Sequence, residues 1–131
     1  APVNMNFAIR EGLRLIAKEG LNKIWNRHNL NACKLWDGLE SLGMELHVSR
    51  EFRLPTLTTV KIPPSVNGDA FRNHLLNTFG IEIGKGLGNL SDKVWRIGLM
   101  GFNSSDENVD RLLNLFDTEL KKFSMFDSST F

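Results

Sequence analysis

The chain has 131 residues, 41% of them hydrophobic and 24% charged, and its 16 Lys and Arg against 15 Asp and Glu leave a net charge of +1. That length suits one core and one folding unit. Near-neutrality without any block of like charge argues against nucleic acid or an anionic membrane as partner, and no run of about 18 apolar residues exists to span a bilayer, so a soluble protein is expected.

The chain opens Ala1-Pro2 without a methionine and already inside a helical pattern, as an excised piece of a longer polypeptide would, or a chain that has lost its initiator. Ala1 to Asn6 lacks the charged-then-apolar layout of a signal peptide. Phe7, Ile9, Leu13, Ile16 and Ala17 recur near helical spacing, and Gly20 is placed to close that helix. Leu21, Trp25, His28, Ala32, Leu35, Leu39 and Leu42 then alternate steps of four and three, which predicts a continuous helical stripe ending at Gly43. His28 on that stripe is expected to be hydrogen-bonded at a core margin, since no second histidine or cysteine stands at chelating distance. Cys33, the only cysteine, cannot form an internal disulfide and reads as a small apolar residue in a reducing compartment.

Met44 to Val48 alternates at period two and predicts a short strand; Leu57 to Ile62, β-branched and bounded by prolines, predicts a second. Asn67 is the expected cap of a helix whose apolar face holds Ala70, Phe71, Leu75 and Leu76 and which ends at Gly80. Strands are expected at Ile81 to Ile83 and Val94 to Met100, with a glycine-rich loop between them. Ser104 with Glu107 has the spacing of a capping box before a last helix lined by Val109, Leu112, Leu113, Phe116, Leu120 and Phe123, and Met125 to Phe131 reads as a short tail. Helices and short strands without a regular βαβ repeat predict an α+β, two-layer domain with a small, mainly antiparallel sheet.

The chemistry concentrates in Gly80 to Asn103. Val94, Arg96, Gly98 and Met100 share one strand face, and Trp95, Ile97 and Leu99 share the core face. Arg96 thus stands beside a bare glycine, and a guanidinium can grip a carboxylate through two parallel hydrogen bonds. From spacing alone an arginine on a solvated face or in an internal ion pair is the more common outcome. Gly84, Gly86 and Gly88 do not form a phosphate loop, because neither glycine-rich nucleotide pattern is present and the loop leads into a strand. Thr56, Thr58 and Thr59 read as strand formers, Trp25, Trp36 and Trp95 as core or interface anchors with Trp36 turned to a neighbouring domain, and Asp106, Glu107 and Asp110 as first-turn helix charges.

IEIGKGLGNLSDKVWRIGLMGFNSSDENVDRLL resembles the C-terminal portion of the alanine-glyoxylate (serine-pyruvate) aminotransferases, pyridoxal-phosphate enzymes of class V. The likeness extends through Glu11 to Gly43 and Arg53 to Pro63, three blocks in order over nearly the whole chain. It implies that residues 1–131 are the C-terminal small domain of a fold-type I enzyme, packed beside a larger cofactor domain. It also implies that Arg96 holds the α-carboxylate of the amino-acid or keto-acid substrate, and that the complete enzyme is a homodimer. Lys85 departs from the small, uncharged residue expected there, which puts its part in substrate entry in doubt. The Schiff-base lysine and the residues that bind pyridoxal phosphate would lie in the large domain, so no catalytic, cofactor or metal residue is assigned here and the chain alone is expected to be inactive. The resemblance also implies a peroxisomal or mitochondrial home, although Ser129-Thr130-Phe131 is unlike a peroxisomal ending. A free-standing, non-catalytic α+β module that binds a carboxylate or another protein is the alternative.

Overall fold

The computed structural model describes residues 2–124, so the tail reading for Met125 to Phe131 lies outside the described residues. Four helices and a three-stranded antiparallel sheet make up the fold: α1 (Val3–Glu19), α2 (Leu21–Ser41), β1 (Leu57–Lys61), α3 (Gly68–Phe79), β2 (Gly84–Lys85), β3 (Val94–Gly98) and α4 (Asp106–Glu119). This is the α+β arrangement the pattern predicts. No helix among the described residues is long and apolar enough to cross a membrane.

β3 runs down the middle of the sheet in the order β1-β3-β2, antiparallel to both neighbours. Its register sets Leu57 opposite Gly98, Thr59 opposite Arg96 and Lys61 opposite Val94, so these six share the outer face together with Gly84, which also lies opposite Arg96. Thr58, Val60, Trp95 and Ile97 take the inner face and are buried there. Leu35 and Leu39 of α2, Phe71 and Leu75 of α3, and Val109 and Phe116 of α4 complete the core on that side. Phe71 sits at its centre, with ring centroids 5.2 Å from both Trp95 and Phe116 and 5.7 Å from Phe123. Packed aromatic edges of this kind add to what area burial alone supplies.

Five sequence expectations shift. Met44 to Val48 forms no strand: only Leu46 bridges to Val60, with His47 donating to the Thr59 carbonyl, before the chain bends away. The strand expected at Ile81 to Ile83 sits three residues later, at Gly84–Lys85, because the backbone of Gly84 and Lys85 is what lies in register with Arg96 and Trp95. β3 ends at Gly98, although Leu99 still donates to the Thr56 carbonyl. Ser105, not Ser104, caps α4 by accepting from the Asn108 N–H, while Ser104 is fully buried and accepts from Asn31 through its hydroxyl. The α2 stripe also splits. Its middle, His28, Ala32, Leu35 and Leu39, is buried, but Leu21 and Trp25 are 53% and 63% exposed and Leu42 at the far end is exposed as well.

The cap on α3 is as expected, with the Asn67 side chain accepting from the Ala70 N–H at 3.0 Å and Gly80 closing the helix in the left-handed conformation. Asn67→Ala is expected to cost about 1 kcal/mol of unfolding free energy, measured by urea titration, because one orphan N–H loses its acceptor.

Glu119, buried at the end of α4, receives Lys122 at 2.7 Å and His74 at 2.8 Å. The Lys122 ammonium first, and His74 second, hold its carboxyl below the usual carboxylate range. A depressed folded-state pKa contributes stability that is present above the unfolded value of about 4.3 and lost as pH falls through the folded value. Glu119→Gln is therefore expected to flatten the acid limb of the melting temperature against pH, with the difference from the native chain shrinking as the pH is lowered below about 4.

Candidate functional site

The outer face of the sheet is where Arg96 emerges, half-buried, from the central strand. Alternate residues of an antiparallel strand turn their backbone groups toward or away from a given neighbour. Gly86 donates to the Val94 carbonyl at 3.0 Å, so Gly84 and Gly86 face β3 and the carbonyl of Lys85 points to the free edge of the sheet. The Arg96 side chain crosses β2 to reach that edge, and its Nε donates to the Lys85 carbonyl at 2.7 Å. The crossing passes over Gly84, where an added Cβ would stand 3.4 Å from Nη2. Gly84 therefore clears the path of the guanidinium, while Gly98, expected to be the open neighbour, is overlain by the Met100 methyl, 3.3 Å from where its Cβ would be.

The bond to Lys85 uses the single N–H of Nε and fixes the plane of the group. What remains is the end-on fork of the two Nη nitrogens, which presents parallel N–H donors. Arg14, Arg27, Arg50, Arg53 and Arg72 are paired with carboxylates. Among the described residues, none pairs with Arg96 within 4.0 Å. Chemically, the arrangement is a held cation with two free donors at the edge of a sheet, suited to a planar acid group.

Around it the loops are built for rigidity. Lys85 points to the opposite face, where its ammonium bridges Asp92 at 2.7 Å and Asp69 at 3.1 Å and ties the glycine loop to the start of α3. These two carboxylates raise its pKa above the ordinary lysine value, Asp92 contributing most. Its side chain is thus turned away from Arg96. Val94, although on the outer face, is buried under the loop from Gly86 to Leu90.

Beyond β3 the backbone turn Gly101–Asn103 is gripped from behind by α2. His28 accepts the Gly101 N–H on Nε2 at 3.0 Å, leaving Nδ1 to donate to the Ile24 carbonyl at 2.7 Å, and Arg27 Nη1 donates to the carbonyls of Gly101 and Ser104 at 3.0 and 2.6 Å. His28 is thus the hydrogen-bonded core-margin histidine that its place on the stripe predicts. A cavity of about 310 Å³ adjoins this turn, with Glu82, Gly98, Asn103, Asn108 and Arg111 at its rim, and Arg96 does not line it.

The remaining candidates are structural. Thr58 Oγ1 accepts from Trp36 Nε1 at 2.8 Å, so Trp36 is buried within the domain and does not face a neighbour as expected. Trp95 donates to the Gly68 carbonyl, and Trp25 stands exposed. Cys33 is half-buried against the core. Asp106 and Asp110 hold Lys34. The described residues do not fit a pyridoxal cofactor, which needs a lysine free to form an imine within a cavity that also holds its phosphate. Lys34, Lys61, Lys85 and Lys122 are bound by carboxylates, and Lys18, Lys23, Lys93 and Lys121 stand on the exposed surface.

No protein-family model matches the chain. It is 47% identical over 112 residues to the alanine–glyoxylate aminotransferase of Oryctolagus cuniculus, covering 85% of this chain and 29% of that protein. It is 40% identical over 105 residues to the (S)-ureidoglycine–glyoxylate transaminase of Bacillus subtilis, covering 80% of this chain and 25% of that one. The crystal structure of an alanine–glyoxylate aminotransferase from Nostoc sp. superposes with a TM-score of 0.85 at 56% identity, over 89% of this chain and 31% of that chain. The chain thus spans about a quarter to a third of the length of these relatives.

Proposed function

Because this chain is a homologue of the class V alanine–glyoxylate aminotransferases over about 29% of their length, we propose that it is the C-terminal small domain of a pyridoxal-phosphate transaminase. In the complete polypeptide, Arg96 holds the α-carboxylate of each substrate in turn. The amino donor is alanine or serine and the acceptor glyoxylate or pyruvate. The cofactor and its lysine belong to a large domain outside these residues, since the lysines described here do not fit the role. The homodimer is part of the same proposal.

The observation that supports the binding role is the fixed guanidinium of Arg96, tied at Nε and, among the described residues, without a partner at either Nη nitrogen. A substrate acid group placed on that fork has its orientation set by two hydrogen bonds, and orientation is the contribution such a domain makes to catalysis. The alternative, a free-standing module, is disfavoured by α1, a 17-residue helix with no buried residue. Met5, Phe7, Ile9 and Leu13 on it are each 57–62% exposed, an apolar surface that a self-sufficient module would cover.

The test is to express the whole polypeptide that carries these residues and follow pyruvate and glycine formed from alanine and glyoxylate in the presence of pyridoxal phosphate. One-to-one formation of the two products is expected, with no turnover by the 131-residue chain alone. A whole polypeptide that takes up no pyridoxal phosphate, or transfers no amino group between any 2-amino acid and 2-oxo acid, overturns the proposal.

A further inference from the structure

The sheet parts on one side of β3 only. Gly84 is paired with Arg96, and the same register carried two residues further would set Glu82 opposite Gly98. No backbone bond joins those two, whereas on the other side of β3 Leu99 still donates to the Thr56 carbonyl at 3.0 Å. Alternate residues of a strand turn their backbone groups toward the same neighbour, so Gly98, like Arg96, directs its N–H and carbonyl to the β2 side. The cavity of about 310 Å³ opens in this gap and is lined by both Glu82 and Gly98.

Its floor is apolar. Leu35 of α2, Ile97 of β3 and Leu112 of α4 reach it from the core. The rim is polar, and two of its groups, Asn108 and Arg111, stand three residues apart on one face of α4. Arg111 is held there by Nη2, which donates to the Phe79 carbonyl at 2.7 Å. The Asn108 amide nitrogen donates to the Asn103 carbonyl at 3.2 Å, which leaves Oδ1 of that side chain as an acceptor. Among the described residues, Glu82 forms no ion pair with any cation and Arg111 none with any carboxylate. One rim thus carries two unmatched charges of opposite sign above an apolar floor.

We infer that this cavity is a binding site for a free α-amino acid with a short apolar side chain. Such a molecule holds an anion and a cation on neighbouring atoms, and the rim presents one group of each sign. The ligand carboxylate takes N–H groups of Arg111 and Gly98, its ammonium donates to Glu82 and Asn108 Oδ1, and its side chain lies on the floor. Size agrees with this class. The volume of about 310 Å³ stands at the small end of the roughly 300–1,000 Å³ of small-molecule sites, enough for a single amino acid and too little for a nucleotide cofactor.

The test is calorimetric titration of L-leucine, 4-methylpentanoate and 3-methylbutylamine into the complete polypeptide carrying Arg96→Ala, so that no acid group is counted on that fork. Leucine is expected to bind at least about tenfold more tightly than either singly charged analogue, the lower end of what a hydrogen bond to a charged group contributes. Glu82→Gln is expected to bring leucine down to the affinity of 4-methylpentanoate and to leave 4-methylpentanoate itself unchanged. Arg111→Gln is expected to bring leucine down to the affinity of the amine and to leave the amine unchanged, and Arg111→Lys, which keeps the charge, to recover part of the loss. Leucine without a saturable heat, equal affinity for all three ligands, or leucine binding that neither substitution weakens overturns the inference. A uniform loss of all three ligands in both variants also overturns it, because the two residues then hold the cavity open and do not read charge. These outcomes are read from binding and stand whether or not the polypeptide transfers amino groups.

Discussion

Arg96→Ala in the complete enzyme is expected to lower kcat/KM for alanine and glyoxylate by about 2–5 kcal/mol, roughly thirty- to several-thousand-fold, the range for removing one partner of a hydrogen-bonded charge pair. The side chain has one task in the fold and a second under the proposed function, and the experiment must separate them. Its Nε caps the Lys85 carbonyl at the sheet edge, and its Nη fork has no partner among the described residues. Loss of the cap alone exposes a carbonyl that water can satisfy, and it would affect every amine substrate alike. Loss of the fork affects only substrates that carry an acid group. The preference for alanine over ethylamine should therefore collapse in Arg96→Ala. In Arg96→Lys a partial preference should survive, because the charge is kept while the planar pair of donors is lost. A native preference in the alanine variant, with folded protein shown by its melting curve, removes Arg96 from substrate binding.

What the sequence disclosed and what it hid divide along physical lines. Period-2 alternation placed Trp95 and Ile97 on the core face and Arg96 on the other, because burial on one face only imposes that pattern. Asn67 and Gly80 bounded α3 correctly, since a cap depends on a few adjacent residues. β2 was out of reach because Gly84–Lys85 has no apolar alternation and becomes a strand only through its register with β3. The same register makes Gly84 the residue that clears the path of the guanidinium, whereas linear proximity pointed to Gly98 as the open neighbour of Arg96, a place the Met100 methyl overlies. The α2 stripe was legible as a helix, but spacing could not show that Leu21 and Trp25 lie beyond the core. The role proposed for Arg96 comes from resemblance joined to its place on the strand. Its anchor, a backbone carbonyl, has no side-chain identity and leaves no mark in a sequence.

Gly86→Ala should be the most damaging change in the loop between β2 and β3, costing about 1–3 kcal/mol or more of unfolding free energy. A Cβ at this position would lie 1.9 Å from the Leu90 carbonyl oxygen and 2.6 Å from its carbon, so backbone must move where a flexible side-chain tip could otherwise yield. Little slack is available for that movement. Leu90 donates to the Leu87 carbonyl and accepts from Lys93, Ser91 donates to Gly88, and Val94 is buried beneath the loop. Gly88 is the internal comparison. It has a φ of +53° but nothing within 4 Å of an added Cβ, so Gly88→Ala meets only left-handed backbone strain of about 1–2 kcal/mol. Urea unfolding with an unchanged m-value should rank Gly86→Ala as the less stable variant. In the complete enzyme Gly86→Ala should also raise KM, because displacing β2 moves the Lys85 carbonyl that fixes Arg96, whereas Gly88→Ala should leave KM near the native value. Equal stability of the two variants would mean that the close approach of Gly86 to Leu90 does not hold the loop in place.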